Sequence, residues 1–283
     1  MTIRPLHFER RGKGPAVMLL HGFTGSGHSM SEVSHALARD FEVITPDLPG
    51  HGRSIAADDG PVHSFDDCLD RLEATLEQAG HARAHWMGYS MGARLALAFA
   101  VRFPERVASL LLIGARAGIE NASERAARRR ADEALADRIE TDGIEAFVDE
   151  WLAQPLFASQ QRLGGEFVAA QRRQRLDNAA RSLAASLRGL GPGAQPPMFD
   201  ELPRLAVPVL LVAGALDRTF VAHALDLGLR IPGAEVREMA EAGHAVHLEQ
   251  PVAFVDVARE FLGRGAGRPA QYTDPIPVEE TAS

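Results

Sequence analysis

Short apolar runs alternate with amphipathic stretches along the first part of the chain. Ala16–Leu20, Phe41–Thr45, His85–Tyr89 and Ser109–Gly114 are apolar on both alternating faces, and Pro208–Gly214 repeats the pattern much later. Runs of that kind suit strands of a parallel sheet covered on both sides. Helical periodicity fills the gaps, as in Ser64–Gln78, Met91–Arg102 and Val252–Leu262. Strand followed by helix, repeated, predicts an α/β fold with a mostly parallel central sheet and helices on both faces.

The alternation stops after Gly114. From Ala117 to Leu205 the chain has no convincing strand and reads as charged helix, broken at Gly143, Pro155, Gly164-Gly165, Gly189 and Pro192. A helical insertion between two sheet strands is expected to form a lid. The expected division is a core of residues 1–116 and 206–262, a helical lid of 117–205, and a loose, disordered tail of 263–283, rich in Gly, Pro and small polar residues.

Composition narrows the functional classes. The 283 residues are 46% hydrophobic and 24% charged, which excludes collagen-like, coiled-coil and wholly disordered chains. Thirty basic residues against 38 acidic ones leave a net charge of −8, with no global field for nucleic acid. Cys68 is the only cysteine, so no intrachain disulfide and no cysteine-based zinc site can form, which suits the cytoplasm. Ala16–Leu20 is far shorter than the roughly 18 residues of a membrane span, and the polar stretch Met1 to Gly14 is no secretory signal. A monomer or small homo-oligomer with no cofactor is expected.

The chemical signal is Gly88-Tyr89-Ser90-Met91-Gly92, which follows an apolar run and precedes helix formers. Flanking glycines leave room for a nucleophile on a sharp strand-to-helix turn. A serine hydroxyl needs a base, and the base needs an orienting acid. Asp217 stands just past the run Val209 to Leu216, and His244 sits in Gly243-His244-Ala245-Val246-His247. The order Ser90, Asp217, His244 differs from the serine-protease orders. His247 is a rival base, Asp226 a rival acid, and His244, His247 and Glu249 are a remote metal alternative. Oxyanion donors are expected from the amides of Met91 and of Phe23, the latter in Leu19-Leu20-His21-Gly22-Phe23-Thr24-Gly25. The turn Asp47-Leu48-Pro49-Gly50-His51-Gly52-Arg53-Ser54 reads as structural.

Together, His21-Gly22, this turn, Gly88-x-Ser90-x-Gly92, Asp217 and Gly243-His244 resemble the α/β-hydrolase superfamily over nearly the whole chain up to Leu262. A narrower resemblance rests on Gly88 to Arg94, Ala122 to Asp132, Trp151 to Ser159 and Gly243 to Pro251. These segments are similar to the menaquinone-pathway lyases, the 2-succinyl-6-hydroxy-2,4-cyclohexadiene-1-carboxylate synthases. The resemblance implies elimination of pyruvate from an enolpyruvyl ether, with the serine serving as a base and not as an acyl acceptor. It implies a small-molecule carboxylate substrate held by Arg94, Arg128 and Arg175, with Trp151 and Phe157 as apolar walls and Tyr89 beside the nucleophile. Arg172 and Arg173 remain rivals of Arg175. Arg94, one helical turn after Ser90, can border the same cavity, and its planar fork suits a carboxylate. Two departures stand out: Ala93 replaces a usual glycine, and Arg116 lies where a Ser-Pro-type turn is expected. A carboxylesterase or carbon–carbon bond hydrolase using the same triad is the alternative.

Overall fold

The computed structural model describes residues 3–55 and 64–264. Seven strands form one sheet: β1 (Phe8–Arg11), β2 (Ala16–Leu20), β3 (Glu42–Pro46), β4 (Ala84–Tyr89), β5 (Val107–Ile113), β6 (Val209–Gly214) and β7 (Glu235–Met239). Their order is β1-β3-β2-β4-β5-β6-β7. Only β1 runs antiparallel to its neighbour. The five expected strands are present, β2 with the expected ends and the other four with ends shifted by a residue or two. The edge strands β1 and β7 were not anticipated. Their sequences, Phe-Glu-Arg-Arg and Glu-Val-Arg-Glu-Met, carry no apolar run because an edge strand faces water along much of its length.

Helices cover both faces. On one side α2 (Phe65–Gln78), α3 (Met91–Arg102) and α7 (Arg218–Arg230) bury Leu72, Leu95, Phe99 and Leu227 against Met18, Trp86 and Leu110. On the other, α1 (Ser31–Leu37) and α9 (Pro251–Arg264) bury Val33, Leu37 and Phe254 against Val17, Leu19 and Leu111. Every residue of β2, β4 and β6 is buried, the result of covering both faces of the sheet. From β2 the chain moves to β3 on one side, then to β4 on the other. A crevice at the carboxyl ends of strands opens at such a reversal.

Between β5 and β6 lie α4 (Ala122–Leu152), a 3-10 run (Pro155–Leu163), α5 (Gly165–Leu176) and α6 (Ala180–Leu190). They share a small core of Ala136, Ile139, Phe147, Val148, Leu183, Ala184 and Leu187, above the crevice. Gly143 breaks α4 with φ 83°, a conformation glycine adopts without steric cost. Gly189, expected as a break, lies inside the last turn of α6. Gly263 and Arg264, assigned to the tail, are the last residues of α9, and the rest of that stretch lies outside the described residues. Among the described residues no helix is long and apolar enough to cross a membrane.

Candidate active site

The nucleophile turn is built by backbone crowding. Ser90 has φ 52° and ψ −107°, a strained conformation between β4 and α3. A Cβ at Gly88 would run into the Gly92 carbonyl, and one at Gly92 into the Leu20 carbonyl. Ala93, the departure from the usual glycine, fits fully buried in α3.

Ser90, Asp217 and His244 meet although 127 and 27 residues separate them in sequence. The Ser90 hydroxyl donates to His244 Nε2 at 3.0 Å. His244 Nδ1–H donates to Asp217 Oδ2 at 2.9 Å. Asp217 caps α7, its Oδ1 accepting the Phe220 amide at 3.2 Å. This capping bond fixes the carboxylate, which fixes the imidazole tautomer. Phe220 closes one face of the ring, 4.3 Å between centroids. His247 is buried elsewhere, its ring 4.5 Å from that of Tyr89. Burial and the neighbouring His244 push it down to about 3, so it is neutral. Asp226 pairs with Arg230 at 3.0 Å, and Glu249 accepts the Gly243 amide and pairs with Arg162. The triad therefore has no competitor in place.

The amides of Phe23 and Met91 flank the serine, and neither donates a hydrogen bond among the described residues. The loop carrying Phe23 is held by two histidines. His21 Nδ1–H donates to the Gly22 carbonyl, and its Nε2 accepts the Leu48 amide at 2.9 Å. Burial pushes His21 down to about 4, so it stays neutral and able to accept. His51 Nε2 accepts the Thr24 amide, and Asp47 accepts the Gly27 and Arg53 amides. The turn from Asp47 to Ser54 is thus structural.

A cavity of about 670 Å³ lies between the triad and the lid. Phe23, Ser90, Met91, His244 and Phe220 line one end; Arg94, Arg116, Arg128 and Asp132 line the other, with Trp151, Leu156, Leu187 and Leu190 as apolar wall. Arg94 is 7% exposed and has only neutral partners: the Leu190 carbonyl at 2.9 Å and Gln195 Oε1 at 3.2 Å. Burial pushes its guanidinium down to about 9, and Arg128 pushes the same way, yet it stays charged at neutral pH. Arg128 pairs with Asp132 at 2.7 Å, whose other oxygen accepts the Gly193 amide.

Three of the expected substrate contacts are placed elsewhere. Tyr89 and Arg175 line a separate recess of about 20 Å³, large enough for one water. Arg175 folds back on its own helix, donating to the carbonyl and side-chain oxygen of Gln171, 5.9 Å from the Phe157 ring. Phe157 packs at a tilt against Trp151, 5.8 Å between ring centroids, and is outside the cavity lining. Arg172 pairs with Asp149 on the lid surface. Sequence reading missed Phe220, Asp132 and Gln195 as parts of this site. Only Phe220 carried a signal, by falling in the first turn after Asp217.

A family model described as alpha/beta hydrolase fold matches residues 15–251. A Bacillus subtilis protein named provisionally as a 2-succinyl-6-hydroxy-2,4-cyclohexadiene-1-carboxylate synthase is 39% identical, over 87% of this chain and 90% of that one. A synthase of that name from Escherichia coli is 33% identical, over 88% of this chain and 94% of its own length. The solved structure of MenH from S. aureus superposes with a TM-score of 0.88 at 30% identity, covering 92% of this chain and 99% of that one.

Proposed function

The chain belongs to the alpha/beta hydrolase fold family, and from that premise we infer that it is a 2-succinyl-6-hydroxy-2,4-cyclohexadiene-1-carboxylate synthase. It eliminates pyruvate from 2-succinyl-5-enolpyruvyl-6-hydroxy-3-cyclohexene-1-carboxylate, a lyase reaction of menaquinone biosynthesis. The relatives' names support the reaction class. The observation that carries the reading to this site is one cavity pairing a hydrogen-bonded Ser-His-Asp set with an arginine end poor in anions.

The ring proton to be lost lies on carbon 2, next to the succinyl ketone. His244 takes the Ser90 proton, and the serine oxygen takes the ring proton. Charge builds on the ketone oxygen as the proton leaves, and the Phe23 and Met91 amides receive it. Electrons then move to a carbon 2–carbon 3 double bond, the existing ring double bond shifts to carbons 4 and 5, and the bond from carbon 5 to the enolpyruvyl oxygen breaks. Pyruvate leaves as its enolate and takes up a proton. Asp217 holds the imidazole and stabilises its charge throughout. No acyl-enzyme forms. Arg94 and Arg128 hold substrate carboxylates, and Trp151 packs on the ring. The lone buried cysteine fits a cytoplasmic enzyme, acting as a monomer or small homo-oligomer without a cofactor.

The test is pyruvate release from freshly generated substrate, beside hydrolysis of a short neutral aryl ester. Fast release with slow ester cleavage is expected. Fast ester cleavage without pyruvate release would make the chain a serine hydrolase.

A further inference from the structure

Arg116 follows the carboxyl end of β5 and lines the reaction cavity beside Arg94 and Arg128. It also lines a second cavity, of about 510 Å³, so the residue stands where the two adjoin. Among the described residues its guanidinium makes no hydrogen bond and no ion pair; only its main-chain carbonyl is engaged, accepting from Gln195 Nε2 at 2.9 Å. Arg128 repels its charge, and Glu124 attracts it without pairing.

Gln195, 1% exposed, uses both ends of one amide here. Its oxygen accepts from Arg94 Nη1, and its nitrogen donates to the Arg116 carbonyl. One buried side chain therefore fixes the deep arginine and the segment bearing Arg116 relative to each other. Asp132, taken by Arg128 and the Gly193 amide, is the one carboxylate in the cavity lining among the described residues. Four guanidinium groups line the cavity: Arg138 pairs with Glu150 outside the lining, and Arg94, Arg116 and Arg128 share the single counter-charge of Asp132.

The substrate inferred above carries three carboxylates: one on the ring, one on the succinyl arm and one on the enolpyruvyl group. We propose that Arg116 is a third carboxylate-binding, specificity-determining side chain, taking the acid group that Arg94 and Arg128 leave free. The proposal rests on the lyase reading for its substrate, but its chemistry, an uncommitted planar guanidinium in the lining of a cavity poor in anions, stands on the geometry.

The experiment uses the whole chain and two variants, Arg116→Ser and Arg116→Lys. Pyruvate, succinate and cyclohexanecarboxylate, one mimic for each acid group, are titrated calorimetrically, and KM and kcat are measured for pyruvate release. Arg116→Ser is expected to raise KM about tenfold or more with a smaller fall in kcat, and to weaken one of the three mimics about tenfold. Arg116→Lys, which keeps the charge and loses the fork, should fall between. The weakened mimic identifies the acid group. Unchanged KM and unchanged affinity for all three mimics in both variants would overturn the proposal. Should Arg116→Ser fail to fold, the lysine variant decides alone. Loss of mimic binding in a protein that releases no pyruvate would sink the lyase reading and leave the Arg116 anion site standing.

Discussion

The two ends of the cavity are built on opposite principles. At the triad end every polar side chain already has its partner: Ser90 on His244, His244 on Asp217, Asp217 on the start of α7. The groups left open there are the Phe23 and Met91 amides, the oxyanion donors of the proposed reaction. At the lid end the guanidinium groups outnumber their counter-charges, and the most buried of them, Arg94, rests on neutral oxygens. A buried charge lacking an opposite one costs several kcal/mol, and an incoming carboxylate relieves that cost. The chemistry is thus preorganised at one end, while affinity is stored as unmet charge at the other. That division suits a polyanionic substrate whose reacting atoms are uncharged carbon.

Removing one group from each end should separate the two principles. Ser90→Ala is expected to give the largest effect, a loss of roughly a thousandfold or more in kcat, because it removes the proton acceptor. Stopped-flow pyruvate release would measure it, with melting temperature as a fold control; activity equal to that of the natural chain would refute the triad. Arg94→Ala should cost roughly 10- to 150-fold in kcat/KM, the worth of one charge-assisted pair formed in a dry site. Arg128→Ala should cost less, about tenfold, because its side chain is 42% exposed and already shares its charge with Asp132. Steady-state kinetics on the three proteins tests the ranking. Equal losses for Arg94→Ala and Arg128→Ala would mean that burial does not grade the arginine end.

The same two ends differ in how far the sequence discloses them. Ser90, Asp217 and His244 each sit in a local frame that reads from a few neighbours: glycines that a turn requires, a strand that stops, a glycine before a loop histidine. Phe23 and Met91 follow from the same turns. The parallel strands are equally plain, because burial on both faces forces continuous apolar runs, while β1 and β7 are hidden by their exposure at the edges. The arginine end depends on how lid helices lean on the core, which no local pattern encodes. Arg175 looked like a substrate contact, yet its guanidinium folds onto Gln171. Gln195 carried no signal, since its role exists only once α6 brings it between Arg94 and Arg116. Arg116 was visible only as a departure from the expected turn.

Acid should expose the contrast at its smallest scale. The arginines keep their charge through the acid range, whereas the triad end leans on two buried neutral histidines, His21 at about 4 and His247 at about 3. Both values lie below the 6.5 of an unfolded histidine. Below pH 6.5 the unfolded chain therefore binds more protons than the folded one, and stability falls as pH falls. The loss approaches about 1.4 kcal/mol per pH unit for each histidine and ends near its folded value. At pH 7.5 neither contributes. His247→Phe isolates one of them: Nδ1 has no partner to lose, and the ring site between Tyr89 and Phe254 is aromatic already. Urea unfolding of both proteins between pH 7.5 and 4.5 should give a shallower pH slope for His247→Phe, with the difference growing below pH 6.5. Parallel slopes would show that His247 takes up its proton in the folded protein, and the acid sensitivity of the triad end would then rest on His21 alone.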